Sequence, residues 1–236
     1  MLWKRLDGLL NLAARMVCLI AFLLCAYAVY DGYMVFNRAA DTSILAYKPD
    51  DDGEPPEAGE IEGSVAWLTI DGTSIDYPVM QGIDNAEYIN KDPYGQYSIS
   101  GSIFLDCRNS PDFTDPYSLV YGHHMEHEFM FGALDKFLNK DFFDTHKTGT
   151  LKSNGKVYDI EIIATVEAPA EEEIIFAPTE AEYPLTFIKD HATVKVNPFP
   201  DHGTILGMST CKYPETSDRT ILFGILKERS ANNESG

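Results

Sequence analysis

A cysteine and an arginine near the end of the sequence, together with a distant histidine, form a candidate catalytic set. Cys211 ends an apolar run that starts at Thr204, and Arg219 opens a second apolar run eight residues later. His123 follows a third strand-like segment far upstream. A sulfur nucleophile, a proton carrier and a fixed positive charge are the groups that acyl transfer through a thioester needs.

Two adjacent strands joined by a short loop would place the thiol of Cys211 beside the guanidinium of Arg219. A thiol attacks only as its thiolate, so it needs a cationic or acid–base neighbour. The guanidinium would supply a permanent charge and could also hold the oxyanion of a tetrahedral intermediate. The competing interpretation is structural, because a cysteine at the end of an apolar strand is often an ordinary core residue.

His123 is the best candidate for the proton carrier. Gly122 precedes it and allows close approach of the backbone, whereas His124 must point the opposite way if the strand continues. Only one of the two histidines can therefore face the cysteine. The alternative is a structural or solvated histidine.

The same segment raises the question of a metal site. Glu126, His127 and Glu128 follow the two histidines, but the order differs from the helical His-Glu-x-x-His arrangement. No pair of cysteines has zinc-ligand spacing, and the sequence contains no phosphate-binding glycine loop and no dinucleotide fingerprint. We therefore expect neither a metal ion nor a cofactor.

The N-terminal segment is typical of a membrane anchor. An uninterrupted apolar run covers residues 16–30 and reaches the length of a membrane span when its apolar flanks are included. The basic residues before this run are Lys4, Arg5 and Arg15. They predict a single-pass protein of the cell membrane with a cytoplasmic N-terminus and an extracellular catalytic domain. A cleaved signal peptide is the alternative, but no convincing small-residue cleavage site follows the run.

Composition divides the chain into four regions. Residues 1–36 would form the cytoplasmic N-terminus and the transmembrane anchor, and residues 37–62 a short helix and an acidic linker rich in Pro and Gly. Residues 63–228 would form the catalytic domain, and residues 229–236 a polar C-terminal tail.

The catalytic region alternates between short strand-like runs and turn residues. The dipeptides DG at 71–72 and NG at 154–155 are hairpin signals. About eight strands with few helices predict an all-β domain, namely a closed eight-stranded barrel with short peripheral helices. A long connection over residues 168–203, partly helical at 180–189, is typical of a lid or binding loop.

The charge balance restricts the possible partners. The 236 residues include 37 acidic and 18 basic side chains, which gives a formal net charge of −19. Nucleic acid is disfavoured as a partner, because phosphate binding needs clustered Lys and Arg. An acidic surface is compatible with a basic partner or an amine-bearing substrate.

Three separate motifs resemble those of sortases and occur in the order of that family. They are LGMSTC at 206–211, which resembles the class B cysteine signature, YGHHM at 121–125, which resembles the histidine motif, and RTIL at 219–222, which resembles the arginine strand. The segments DYPVMQG at 76–82 and GSIFLD at 101–106 are also similar. The resemblance extends over about residues 62–226.

This resemblance implies a membrane-anchored cysteine transpeptidase on the outer face of a Gram-positive-type cell. Such an enzyme cuts a C-terminal sorting signal of a secreted protein, holds the acyl fragment as a thioester, and passes it to an amine of cell-wall precursor or pilin lysine. Cys211 would be the nucleophile, His123 the general acid or base, and Arg219 the stabiliser of substrate or oxyanion. The substrate groove would be lined by Asn85, Ile89, Phe187, Ile188, Ser209 and Thr210.

Two departures from the family pattern leave other possibilities open. Ile205 stands where the broader signature has a different residue order, and Cys107 stands where an aromatic residue is more familiar. A Cys107–Cys211 disulfide would silence the enzyme or make it redox-sensitive. The alternative functions are an exported cysteine peptidase that releases its product to water and a wall-facing binding or scaffold domain with a degenerate site.

Overall fold

The computed structural model describes residues 2–39, 42–179, 183–211 and 218–229 of the chain. It contains two compact units, one made by the N-terminal helix and the other by the residues from Thr42 onward. The side chain of Cys211, residues 212–217 and the predicted polar tail after residue 229 lie outside the described residues.

The first unit is a single long helix, α1 (Leu2–Ala39). Within it, the stretch Asp7–Val35 is long and apolar enough to cross a membrane. Nearly all of the described side chains of this stretch are exposed. A membrane anchor and a signal sequence share these properties.

The second unit is built around a closed β-barrel. Its strands are β1 (Ser64–Ile70), β2 (Asp76–Met80), β3 (Ile103–Leu105), β4 (Tyr117–Tyr121), β5 (Thr148–Ser153), β6 (Lys156–Pro169), β7 (Val194–Lys195), β8 (Thr204–Cys211) and β9 (Asp218–Glu228). Hydrogen-bonded neighbours follow the order β5-β1-β2-β3-β4-β8-β9-β6, and β5 also pairs with β6. Eight strands therefore close on themselves, which confirms the predicted fold, while the short β7 pairs with β6 alone.

A local hairpin closes this barrel. Asn154 and Gly155 join β5 to β6 with positive φ angles of 51° and 69°, as a two-residue type I′ turn requires. Because β5 also pairs with β1 and β6 also pairs with β9, this one hairpin connects the two sides of the sheet. The NG signal in the sequence thus marks the point of closure.

Short helices precede the first strand or lie between later strands. They are α2 (Lys140–Thr145), α3 (Glu173–Phe176), α4 (Leu185–His191) and the 3₁₀ segments Thr42–Tyr47, Glu126–Glu128 and Gly132–Leu138. The side chain of Asn139 caps α2 by accepting hydrogen bonds from the backbone of Asp141 and Phe142. The helix predicted at 180–189 corresponds to α4, and the start of that prediction falls on residues outside the described part.

Strands β8 and β9 are buried on both faces. Leu206 and Met208 point into the barrel interior, where they join a cluster with Leu222. Ile205 and Phe223 instead belong to a second cluster, which contains Ile175 of α3 and Ile188 of α4. The long connection therefore covers the outer face of these strands, which explains why both read as nearly continuous apolar runs.

The acidic segment before β1 is packed on the barrel. Ile44 and Ile61 are buried beside Trp67 of β1. The ammonium group of Lys152, a residue that is only 5% exposed, donates hydrogen bonds to the carbonyl oxygens of Pro49 and Asp50. The structure therefore attaches much of the expected linker to the barrel wall.

Removal of a barrel-interior side chain should destabilise the second unit. Leu68 on β1 is fully buried, so we expect Leu68→Ala to lower the free energy of unfolding by about 3 kcal/mol through lost burial and a residual cavity. Leu45, which is 41% exposed, provides the same chemical change as a control and should lose less than about 1 kcal/mol. Chemical denaturation of the full chain in detergent, followed by tryptophan fluorescence, measures both; equal losses would contradict the assignment of the core.

Candidate active site

The predicted catalytic residues lie at one end of three adjacent strands. β4 and β8 are parallel, with Tyr121 opposite Ser209, and the N–H of Gly122 donates to the carbonyl of Ser209 at 3.1 Å. Parallel strands advance together, so His123, two residues past Tyr121, comes level with Cys211, two residues past Ser209. The pairing of β4 with β8 thus brings the two segments side by side although 88 positions separate the two residues in sequence.

Arg219 lies on β9, which pairs with β8 on the side away from β4. β8 and β9 are antiparallel, and their register places the backbone of Cys211 directly opposite that of Arg219. The side chain of Arg219 is half-buried and lines a groove together with His123. The backbones of all three predicted catalytic residues therefore converge at this end of the barrel.

A backbone carbonyl fixes the imidazole of His123. Its Nε2 lies 2.8 Å from the carbonyl oxygen of Ile89, and because a carbonyl can only accept, Nε2 carries the hydrogen. Nδ1 is then the nitrogen left to exchange a proton with another group. The preceding Gly122 lets the backbone pass close to Ile103 and Phe131, since a Cβ at that position would lie 2.4 Å from a methyl of Ile103 and 2.8 Å from the ring of Phe131.

His124 is engaged elsewhere. Its Nε2 lies 2.9 Å from a carboxylate oxygen of Asp135, whose other oxygen accepts a hydrogen bond of 3.0 Å from the hydroxyl of Thr220. Asp135 therefore connects His124, which follows His123, to Thr220, which follows Arg219. Among the described residues, no group of three or more His, Cys, Asp or Glu side chains is arranged to hold a metal ion.

A groove of 440 Å³ opens beside these strand ends. It is lined by Asn85, Ile89, Phe104, Tyr121, Gly122, His123, Ala170, Phe176, Ser209 and Arg219. Three of the six residues predicted to bind substrate, Asn85, Ile89 and Ser209, thus lie in the same groove as His123 and Arg219. The groove is the site at which a peptide chain could reach the candidate catalytic residues.

The other three predicted groove residues are placed differently. Ile188 is fully buried in the cluster beneath the long connection, and Phe187 stacks on His191 with ring centroids 4.0 Å apart. Thr210 is only 1% exposed. Within the described residues, Ala170 and Phe176 form the wall that the long connection contributes. Residues 174–176, an apolar triplet within an acidic stretch, were the sequence signal that could have pointed to Phe176.

One buried hydroxyl in the groove has no hydrogen-bond partner. Ser209 is 2% exposed, lines the groove, and its hydroxyl contacts no donor or acceptor among the described residues. A buried polar group without a partner costs free energy until a ligand or water satisfies it. The oxygen itself is almost fully buried, so a molecule in the groove would reach it only after neighbouring groups move.

A fully buried carboxylate, which sequence reasoning missed, accepts hydrogen bonds from residues that line the groove. Asp106, directly after β3, accepts hydrogen bonds from the side chains of Asn85, Tyr121 and Arg108. Burial by itself would raise the pKa of Asp106, but the hydrogen bonds from Arg108, Asn85 and Tyr121 outweigh it and the pKa is lowered. Cys107, the next residue, is a free thiol, so the structure contains no Cys107–Cys211 disulfide.

The barrel, its strand-end site and its groove define a sortase-type protein. The sortase domain model matches residues 68–227, which is more than half of the chain, and the chain therefore belongs to the sortase family. Its relatives are of class B. Sortase B of Listeria monocytogenes is 39% identical over 122 residues, which cover 52% of this chain and 48% of that protein. The match thus spans about half the length of this curated relative.

Solved structures of class B sortases have the same fold. A Streptococcus pyogenes class B sortase involved in pilus biogenesis matches with a TM-score of 0.64 and 38% identity, covering 70% of this chain and 92% of that one. Sortase B of Staphylococcus aureus in complex with substrate matches with a TM-score of 0.65 and 26% identity, covering 72% and 82%. A sortase B in complex with triglycine matches with a TM-score of 0.65 and 25% identity, with the same coverage.

Displacement of the Ile89 carbonyl should release the imidazole of His123. Gly101 has a φ of +58°, and a Cβ there would lie 2.2 Å from the carbonyl oxygen of Ile89, so Gly101→Ala must move that carbonyl. We expect ¹⁵N NMR of histidine-labelled full chain in detergent to show His123 as the Nε2–H tautomer in the wild type, and to show this preference reduced in Gly101→Ala.

The matched control for this measurement is Gly155→Ala. Gly155 also has a positive φ, +69°, but no atom lies within 4 Å of the added Cβ. The control carries similar backbone strain without the contact at Ile89. Unchanged His123 signals in Gly101→Ala, or equal changes in both variants, would show that Ile89 does not hold the imidazole.

Proposed function

We propose that this protein is a membrane-anchored cysteine transpeptidase. It cuts a C-terminal sorting signal from secreted proteins through a thioester and joins the acyl fragment to an amine of cell-wall precursor or pilin. The observation that carries the proposal is the register of β4, β8 and β9, which aligns His123, Cys211 and Arg219 at one end of the barrel beside a groove. Membership of the sortase family supports the same chemistry.

The first step would be attack by the thiolate of Cys211 on the carbonyl carbon of the scissile peptide bond. His123 takes the thiol proton, and the nitrogen available for it is Nδ1, since Nε2 is engaged with the carbonyl of Ile89. The C–N bond of the tetrahedral intermediate then breaks, and the imidazolium returns the proton to the leaving amine. The product is an acyl group bound to sulfur.

Arg219 would stabilise the negative charge that develops on the carbonyl oxygen. Its guanidinium is always positive and half-buried in the groove wall, where solvent screens its charge less than at an open surface. An incoming amine attacks the carbonyl carbon of the thioester and His123 accepts a proton from that amine. The C–S bond then breaks, and the imidazolium returns the proton to the sulfur, which regenerates the thiol. Transfer to an amine, rather than to water, makes the enzyme a transpeptidase.

The groove would hold the sorting signal in extended form. Ile89, Phe104 and Phe176 offer apolar contacts to its side chains. The structures of Staphylococcus aureus sortase B with substrate and of a sortase B with triglycine support peptide and amine binding by this class.

The apolar helix α1 would anchor the enzyme in the cell membrane. The stretch Asp7–Val35 is long enough to span a bilayer. Lys4 and Arg5 lie before this stretch and Arg15 near its start, which favours a cytoplasmic N-terminus and an extracellular catalytic domain. This location would bring the groove to proteins that have just crossed the membrane.

Loss of the thiol should abolish the activity. The full chain in detergent is incubated with internally quenched peptides copied from C-terminal sorting signals of secreted proteins of the same cell, with and without triglycine. We expect cleavage by the wild type and an amide product with triglycine, no cleavage by Cys211→Ala, and unchanged cleavage by Cys25→Ala, which makes the same change within α1. Activity in Cys211→Ala would refute the assignment, and product that is always hydrolysed would favour the peptidase alternative.

Replacement of the guanidinium by an ammonium group should impair catalysis at Arg219. A lysine keeps the charge but cannot reproduce the planar fork of donors, so we expect Arg219→Lys to lower kcat/KM by about 100-fold or more. Arg229→Lys is the control, because Arg229 makes an exposed pair with Asp159 on β6 and does not line the groove. Equal activities of the two variants in the peptide cleavage assay would rule out this role for Arg219.

A further inference from the structure

The carboxylate of Asp106 joins several parts of the groove. Its side chain is fully buried, and one oxygen accepts hydrogen bonds from Nε and the backbone N–H of Arg108 at 2.9 and 3.0 Å. The other accepts from Asn85 Nδ2 at 2.9 Å, from the hydroxyl of Tyr121 at 2.9 Å, and from Arg108 Nη2 at 2.8 Å. Asn85 and Tyr121 both line the groove.

Arg108 extends this network to the part of the groove wall that the long connection contributes. Its Nη2 also donates a hydrogen bond of 2.6 Å to the carbonyl of Phe176, which ends α3 and lines the groove. A second hydrogen bond, from the hydroxyl of Tyr117 to the carbonyl of Ile175 at 3.0 Å, holds the same helix. One arginine thus connects the buried carboxylate to the long connection, 68 residues away in sequence.

We propose that Asp106 and Arg108 are positioning residues that set the distance between the Asn85 and Phe176 walls of the groove, and that they thereby determine how tightly the sorting signal binds. This inference rests on the proposed function. The contacts that carry the inference join Asp106 to Asn85 and Tyr121 and join Arg108 to the carbonyl of Phe176, so we expect the pair to act on peptide binding through the groove walls.

The Asp106–Arg108 pair is expected to persist at neutral pH. The lowered pKa of Asp106 keeps the carboxylate ionised at neutral pH, and a bidentate guanidinium–carboxylate pair is both strong and directional. Asn85 is fixed as well, because its Oδ1 accepts a hydrogen bond of 2.8 Å from the N–H of Cys107. The Asp106–Arg108 pair therefore holds three residues that line the groove, namely Asn85, Tyr121 and Phe176.

The test uses Arg108→Lys in the full chain in detergent, with the same quenched peptides. An ammonium group can pair with Asp106, but it cannot reproduce the fork and also reach the Phe176 carbonyl. We expect KM to rise about tenfold or more while kcat stays within about twofold, since binding common to ground and transition states is lost. The control, Arg229→Lys, should change neither constant.

A double-mutant cycle tests whether Arg108 acts through the wall. Phe176→Ala removes the side chain that Arg108 would position, so Arg108→Lys should raise KM much less in that background than in the wild type. Additive effects would show that Arg108 acts by another route. Tyr117→Phe, which removes only the hydroxyl that donates to Ile175, should raise KM a few-fold and provides a second, milder variant.

Hydrogen–deuterium exchange gives a readout independent of activity. Amides of α3 (Glu173–Phe176) should exchange faster in Arg108→Lys than in the wild type or in Arg229→Lys. Unchanged exchange together with unchanged KM overturns the inference, as does a fall in kcat with constant KM. If the wild type cleaves the peptides and Arg108→Lys has the same KM as the wild type, the inference is refuted but the proposed function is not. If the wild type cleaves none of the peptides, both the proposed function and the inference are refuted.

Discussion

The parallel pairing of β4 with β8 is the interaction on which the site depends. It aligns Tyr121 with Ser209 and continues through the hydrogen bond from Gly122 to the Ser209 carbonyl. Parallel pairing needs a long crossover, so this contact joins segments that are distant in sequence. A slip by one residue would turn every β8 side chain to the other face and would place Leu206 and Met208 outside the barrel interior. The apolar core therefore also fixes the register of the site.

Burial on two faces makes the strand ends rigid. β8 and β9 contribute to the barrel interior on one face and to the cluster under the long connection on the other. A site built on such strands keeps its geometry better than one built on loops alone, because packing restrains the backbone on both sides. Polar contacts add to this packing: Asp135 joins His124 to Thr220, and Asp106 holds Asn85 in the groove wall.

Some of the polar contacts at the site involve backbone carbonyls rather than side chains. The carbonyl of Ile89 selects the tautomer of His123, and the carbonyl of Phe176 receives Arg108. A carbonyl is present at every residue, so the identity of Ile89 or Phe176 says nothing about this role. Only the conformation of the chain, including the positive φ of Gly101 that lets it pass close to Ile89, decides which carbonyl is presented.

The barrel could be predicted from the sequence alone, and so could the segments that the candidate site brings together. Alternating apolar runs, the NG turn and the spacing of Cys211 to Arg219 are local patterns, and local patterns report strands, turns and hairpins directly. Tertiary structure alone decided which wall the long connection presents, with Phe176 in the groove and Ile188 in the core, and which groups hold His123 and Asp106. The physical reason is that these contacts join residues 34 and 68 positions apart, whose meeting depends on strand register and packing rather than on any periodicity within either segment.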